Sequence, residues 1–238
     1  QGTVPLDALI SNATTPAMTP VTTMSTGENG NTFSNMGTAE LACPPLAALH
    51  ASPIAEVVGV VTQPDRPSGR KLKPQPSPVK QCALTLGLPV IQPETLRTPE
   101  ALKQLAAFEA DLFIVTAYGQ ILPQTVLDLP MHGALNIHAS LLPRHRGAAP
   151  IQWAILDGDA ETGITLMRMD AGLDTGDMIT TAKTSITKLD TAETLHDRLA
   201  KMGAALLIQS LPAFLGGTLV TVSQDDSQST YARKITKQ

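Results

Sequence analysis

From 111 to 117 the chain reads Asp-Leu-Phe-Ile-Val-Thr-Ala, a run in which apolar side chains follow one another instead of alternating with polar ones. A strand with one wet face alternates. A continuously apolar strand has to be covered on both faces, which calls for a sheet layered between helices. The flanking sequence supplies both kinds of element. Residues 56–62 read as a Val-rich buried strand, 89–92 as a short strand and 133–138 as another. Ser77-Pro78 opens a helix, with Ser as N-cap and Pro at the first helical position, and Gly87 closes it. Thr98-Pro99-Glu100 opens a second helix that runs to about Phe108. Further on, 148–156 reads as helix, and 163–169 and 178–184 read as strands paired across a Gly-rich loop. Asp190-x-x-Glu193 resembles a capping box. The helix it starts carries Leu195, Leu199, Met202 and Leu206 on one face, ends at Gly216-Gly217, and leads to a last strand at 218–222. This alternation predicts an α/β fold: a doubly wound, mostly parallel sheet with helices on both faces. Ligands of such sheets bind beyond the carboxyl ends of the strands, and the strand at 133–138 ends at His138.

The length of 238 residues accommodates one large domain, and 42% hydrophobic against 16% charged residues excludes a disordered chain. No apolar run approaches the roughly 20 residues needed to span a bilayer. A net charge of -4 excludes a generally basic nucleic-acid binder. Cys43 and Cys82 lack metal-ligand spacing, so they read as free thiols in a reducing compartment, with no structural metal. The chain opens on Gln1, as a fragment or processed form would, and residues 1–35 contain no Lys or Arg, unlike a secretory or organelle leader. Asn12-Ala13-Thr14 is read as a chance glycosylation sequon.

Chemistry concentrates in two places, Asn136-Ile137-His138-Ala139-Ser140-Leu141-Leu142-Pro143 and Gly172-Leu173-Asp174-Thr175-Gly176-Asp177. An amide, an imidazole and a carboxylate suffice for acyl transfer to an amine. The amide of Asn136 can donate to a carbonyl oxygen that becomes negative, His138 can move a proton, and Asp174 can orient the imidazole. The glycines around Asp174 let the backbone approach a ligand. Asp177 reads as a turn residue, His145 and Arg146 as loop charges, and His132 as a surface residue.

Together these segments resemble the folate-dependent formyltransferases, most closely those acting on methionyl-tRNA, over about 36–237. Gln63-Pro64-Asp65-Arg66-Pro67-Ser68-Gly69-Arg70, Arg146-Gly147-Ala148-Ala149-Pro150-Ile151-Gln152 and Asp159-Ala160-Glu161-Thr162-Gly163 extend the likeness. The resemblance implies a Rossmann-like formyltransferase fold, 10-formyltetrahydrofolate as co-substrate, and the α-amine of methionine on initiator tRNA as acceptor. It implies catalysis by Asn136, His138 and Asp174, and folate contact at Ser140, Leu141, Leu142 and Pro143. Ile114, Tyr118, Ile121 and Leu122 either wall the pterin pocket or belong to the ordinary core. Arg66, Arg70, Lys71, Lys73 and Lys80 fall in a stretch with no acidic residue, where the family's inserted loop meets tRNA. Arg66, Arg70, Lys71 and Lys73 are therefore expected on phosphate. A monomer in the cytoplasm, or in an organelle matrix after loss of a leader, completes the expectation.

Two departures stand out. Asn31-Thr32-Phe33-Ser34-Asn35 is polar where the family has an apolar central strand. Residues 1–35 accordingly read as an atypical, disordered segment, 36–222 as the catalytic domain, and 223–238 as the start of a linker. The β-barrel domain that follows in the family is absent, which predicts weak tRNA affinity. Three other readings stay open: a formyltransferase or hydrolase with another acceptor (glycinamide ribonucleotide, a sugar amine or water), an inactive folate-binding remnant, and, more distantly, an oxidoreductase. The last lacks a G-x-G-x-x-G after a strand.

Overall fold

The computed structural model describes residues 30–68 and 73–236. Seven strands form the main sheet: β1 (Asn31–Gly37), β2 (Ala55–Val61), β3 (Val90–Ile91), β4 (Leu112–Thr116), β5 (Ala134–His138), β6 (Glu161–Arg168) and β7 (Met178–Ser185). Their spatial order is β7-β6-β5-β4-β1-β2-β3. The first five strands in sequence run parallel, whereas β6 is antiparallel to both β5 and β7. The expected doubly wound, mostly parallel α/β sheet is therefore present. From β1 the chain winds outward through β2 to β3, then returns to β4 on the other side of β1 and winds the opposite way. The reversal between β1 and β4 is a switch point, where a crevice opens at the strand ends.

The helices are α1 (Cys43–His50), α2 (Pro78–Thr85), α3 (Pro99–Ala106), α4 (Gln124–Leu127), α5 (Pro150–Leu156) and α6 (Ala192–Leu215). Ser77 and Thr98 cap α2 and α3 as their sequences predict: each hydroxyl accepts a backbone N–H three residues on. Two cores sandwich the sheet. Leu112 and Ile114 of β4 face the layer that holds Leu46 of α1 and Leu199 of α6. Phe113 and Val115 face the opposite layer with Leu105 of α3 and Val126 of α4. This two-sided burial is what the unbroken apolar run requires. Within α6 the buried stripe is Leu195, Leu199, Gly203, Leu207 and Leu211, and the expected Met202 and Leu206 lie at its margin. Gly203 allows α6 to approach the sheet: a Cβ there would lie 2.8 Å from Ile137 of β5.

Three expectations are corrected. Residues 31–35 do not lie outside the domain; they make most of β1, paired on both edges by β2 and β4. Phe33 feeds one core and Met36 the other, while Ser34 and Asn35 are fully buried between them. Two-sided backbone pairing and two large anchors override the weak strand preference of the polar pair. The rest of the expected disordered segment, 1–29, lies outside the described residues. At α6 the capping box is Thr191 with Thr194, not Asp190 with Glu193, because the Thr191 hydroxyl accepts the Thr194 N–H and the Thr194 hydroxyl accepts the Thr191 N–H. Residues 218–222 form no strand, and only Val222 bridges Met178. The segment beyond packs back on the domain, where Tyr231–Ala232 pairs with Arg146–Gly147. No described helix is long and apolar enough to cross a membrane.

Candidate active site

β5 carries Asn136 and His138 to its carboxyl end. Both are nearly buried, at 8% and 6% exposed. Two residues apart on a strand, they face the same side. The loop between β6 and β7 brings Asp174 across to meet them. Asp174 sits at φ +54, a left-handed conformation uncommon for an aspartate. The loop can fold so tightly because Gly176 has no side chain: a Cβ there would lie 1.9 Å from the Arg168 carbonyl oxygen. Asn136 Nδ2 donates to Asp174 Oδ1 at 3.1 Å, and the Gly147 N–H donates to Oδ2 at 2.8 Å. His138 Nδ1 lies 3.6 Å from Oδ2, within ion-pair range and beyond hydrogen-bond length.

The three residues predicted from sequence thus converge, with one difference. The firm hydrogen bond of the His138 ring runs from Nε2 to the His145 carbonyl oxygen, at 2.9 Å. A carbonyl only accepts, so Nε2 carries a hydrogen and Nδ1 is the nitrogen left toward Asp174. One Nδ2 hydrogen of Asn136 serves Asp174, which leaves the second for another acceptor.

These groups border a cavity of about 510 Å³ at the switch point. Its walls come from Ala39 and Leu41 after β1, Val115 to Leu122 around the end of β4 except Thr116, and Asn136 to Ala139. Gly147, Ile151, Met169, Asp170, Leu173, Asp174 and Tyr231 close the other side. Ala117, at φ +45, strains the backbone where β4 ends. The Tyr118 hydroxyl is buried without a partner, and burial pushes its pKa up to about 12. A mostly apolar cavity of this size with a few convergent polar groups is suited to a small-molecule ligand.

Residues 34–211 match the family described as Formyl transferase. The chain belongs to the formyl transferase family. This formyl transferase is 56% identical over 201 residues to a methionyl-tRNA formyltransferase of Pseudomonas syringae pv. tomato, covering 84% of this chain and 64% of that protein. It is 51% identical over 203 residues to a methionyl-tRNA formyltransferase of Listeria innocua, with 85% and 64% covered. The chain thus spans less than two thirds of these relatives. Among solved structures, glycinamide ribonucleotide transformylase 1 from Symbiobacterium toebii matches with TM-score 0.67 and 21% identity, over 84% of this chain and all of that one. An N-formyltransferase from Helicobacter canadensis, in complex with folinic acid and dTDP-3-aminofucose, matches with TM-score 0.64 and 19% identity over 84% and 70%. Both likenesses show the shared fold.

The remaining expected site residues of this formyl transferase divide. Tyr118, Ile121 and Leu122 wall the cavity, while Ile114 points into the opposite core. Ser140, Leu141, Leu142 and Pro143 lie next to the cavity in sequence but do not line it. Ser140 Oγ instead donates to the Arg144 carbonyl at 2.6 Å, and Leu142 N donates to Thr165 Oγ1 at 3.1 Å, so the segment shapes the turn behind His138. Arg66–Ser68 and Lys73–Gln75 form an antiparallel ribbon. Arg66 is exposed, 3.9 Å from Glu94; Arg70 and Lys71 lie outside the described residues, as does the Lys73 side chain. Lys80 is not a free loop charge: its Nζ binds Asp65 at 2.7 Å, and that contact, with the Gln92 amide, holds the Asp65 carboxyl below its ordinary range. Asp177 accepts from Ser223 and Thr221 and so pins the tail.

Sequence reasoning missed two supports. Gln224 Nε2 donates to the Asp174 and Gly176 carbonyls, both at 2.8 Å, and its Oε1 accepts from Arg146 Nε and Nη2 at 3.0 and 2.8 Å. Arg146 is therefore a clasp on the Asp174 loop. His145, read as a loop charge, is 3% exposed and buried behind His138. Nothing in the local pattern marks either one, since Gln224 meets Asp174 and His145 meets Thr230 only through the tertiary fold.

Proposed function

We propose that this chain is the catalytic portion of a methionyl-tRNA formyltransferase, moving a formyl group from 10-formyltetrahydrofolate to the α-amine of methionine on initiator tRNA. The observation that carries the reading is the convergence of Asn136, His138 and Asp174 beside the switch-point cavity, in a chain 56% identical to a protein so named. The neutral amine attacks the formyl carbon, and the carbonyl electron pair moves onto oxygen. The free Nδ2 hydrogen of Asn136 donates to that oxyanion. With Nε2 committed to the His145 carbonyl, His138 exchanges protons with the reacting groups through Nδ1, beside Asp174. The amine nitrogen gives up a proton as the carbon–nitrogen bond to folate breaks, and the departing folate nitrogen takes one.

The cavity walls at Val115, Tyr118, Ile121 and Leu122 support pterin binding, with Ser140 to Pro143 holding the turn that backs it. The ribbon bearing Arg66 and Lys73, in a stretch of sequence that also carries Arg70 and Lys71, supports contact with tRNA phosphates. Such a reaction belongs where translation starts, in the cytoplasm or an organelle matrix, and the chain acts as a monomer. The test is formyl transfer from 10-formyltetrahydrofolate to methionyl-initiator-tRNA, with glycinamide ribonucleotide and a sugar amine as competing acceptors. Transfer to the tRNA should fall ~10²–10³-fold in Asn136→Ala and further in His138→Ala. Near-normal turnover in either variant, or preference for a small amine, refutes the assignment.

A further inference from the structure

We propose that His145, held by Asp159, is a positioning residue that sets the tautomer and tilt of His138; this rests on the proposed role of His138. His145 sits at φ +58, in the left-handed region that side chains rarely enter. That turn is what aims its carbonyl oxygen at His138 Nε2, 2.9 Å away. The residue is held there from two sides. The His145 N–H donates to Thr230 Oγ1 at 2.8 Å, and its ring Nε2 donates to Asp159 Oδ2 at 2.7 Å. Asp159 Oδ1 in turn receives Arg144 Nη2 at 2.6 Å, and Asp157 lies 3.9 Å from the other ring nitrogen. The charged groups facing the His145 ring are therefore Asp157 and Asp159, with Arg144 on the far side of Asp159.

A buried imidazole that only filled space would not need a carboxylate, nor a backbone conformation that favours glycine or asparagine. Here both serve one output, a carbonyl pointed at His138. Because that carbonyl can only accept, it fixes the hydrogen of His138 on Nε2 and leaves Nδ1 toward Asp174 and the cavity. Releasing the carbonyl frees the ring to flip or change tautomer, so that the nitrogen facing the substrate is no longer defined. None of the groups that hold His145 reaches the substrate itself, since neither His145 nor Asp159 lines the cavity.

The test compares His145→Val, which resists positive φ and cannot donate, with His145→Asn, which tolerates it and keeps a donor. Asp159→Asn is read in parallel and stands in if His145→Val does not unfold cooperatively. The first readout is kcat and KM for formyl transfer by the full chain. His145→Val and Asp159→Asn should each lower kcat tenfold or more with KM for folate and tRNA within about twofold, and His145→Asn should recover most of the loss. The second readout is the nitrogen NMR signature of the His138 ring, which reports tautomer without requiring activity. It should show a hydrogen on Nε2 in the native chain and in His145→Asn, and a mixture in the other two. Native kcat, or an unchanged His138 tautomer, in a folded His145→Val or Asp159→Asn protein overturns the proposal. If His138→Ala retains turnover while the tautomer still depends on His145, the proposed function fails and the positioning contact stands.

Discussion

The side chain of Asn35 is fully buried in the middle of the sheet, aligned with Val60 on one neighbour and Ile114 on the other, and neither its oxygen nor its nitrogen has a hydrogen-bond partner. A buried polar group without a partner costs about 1–3 kcal/mol. Leucine branches at the same carbon and carries no such group, so Asn35→Leu should stabilise the chain by up to roughly that amount, less the cost of its larger volume, and raise Tm. Thermal unfolding measures this, and an unchanged or lowered Tm shows that a partner of Asn35 in solution, or the larger volume, outweighs the gain. The same residue marks a limit on reading the site and its frame from sequence. Asn136, His138 and Asp174 could be named because each chemical type sits in a local pattern, a strand end or a Gly-flanked loop. Asn35 was misjudged because polarity argues against a strand, and only tertiary pairing argues for one. His145 and Gln224 were invisible for the complementary reason. A histidine in a basic, proline-containing loop reads as solvated until Asp159 is known to lie against it.

Among the elements, α6 shows how a correct boundary can rest on the wrong residues. Its start was legible, yet the capping pair is Thr191 and Thr194, and this frees Asp190 for other work. Asp190 accepts from the Thr187 N–H at 2.8 Å, from the Thr187 and Thr194 hydroxyls, and from Arg198. The Thr187 backbone bond leads these contacts in drawing the Asp190 pKa from 3.8 to about 2. The folded value lies below the unfolded one, so folding favours the ionised form. The resulting stability is complete above the ordinary value of 3.8 and is lost as pH falls through about 2. Urea unfolding of native and Asp190→Asn chains should therefore differ by a constant amount near neutrality, and the two should converge over that acid window. A gap that persists unchanged through the window means that shape, and not charge, anchors the helix start. The sheet itself was more legible than its caps, because unbroken apolar runs are a strong signal and hydrogen-bond partners three residues apart are easily exchanged on paper.

For the whole molecule the question is how a chain of net charge -4 would meet the tRNA of the proposed reaction. The ribbon gives a local answer. Arg66 is exposed, whereas Lys80 is committed to Asp65 and contributes little free charge. Under the proposed function, phosphate contact would rest on Arg66, Arg70, Lys71 and Lys73. Each phosphate contact neutralised releases counterions and adds close to one unit to the slope of log affinity against log salt. Replacing both Arg70 and Lys71 by alanine should weaken tRNA binding and reduce the salt slope by roughly two, with KM for 10-formyltetrahydrofolate unchanged. Lys80→Ala should leave the slope nearly as it is and instead loosen the Asp65–Gln92 contact. These two outcomes separate a tRNA-reading ribbon from a merely solvated one. If the double variant keeps the native slope, Arg70 and Lys71 do not touch the phosphates, and any contact rests on Arg66 and Lys73. If Lys80→Ala changes the slope as much as the double variant does, the Asp65 ion pair opens when tRNA binds, and the basic surface extends to α2.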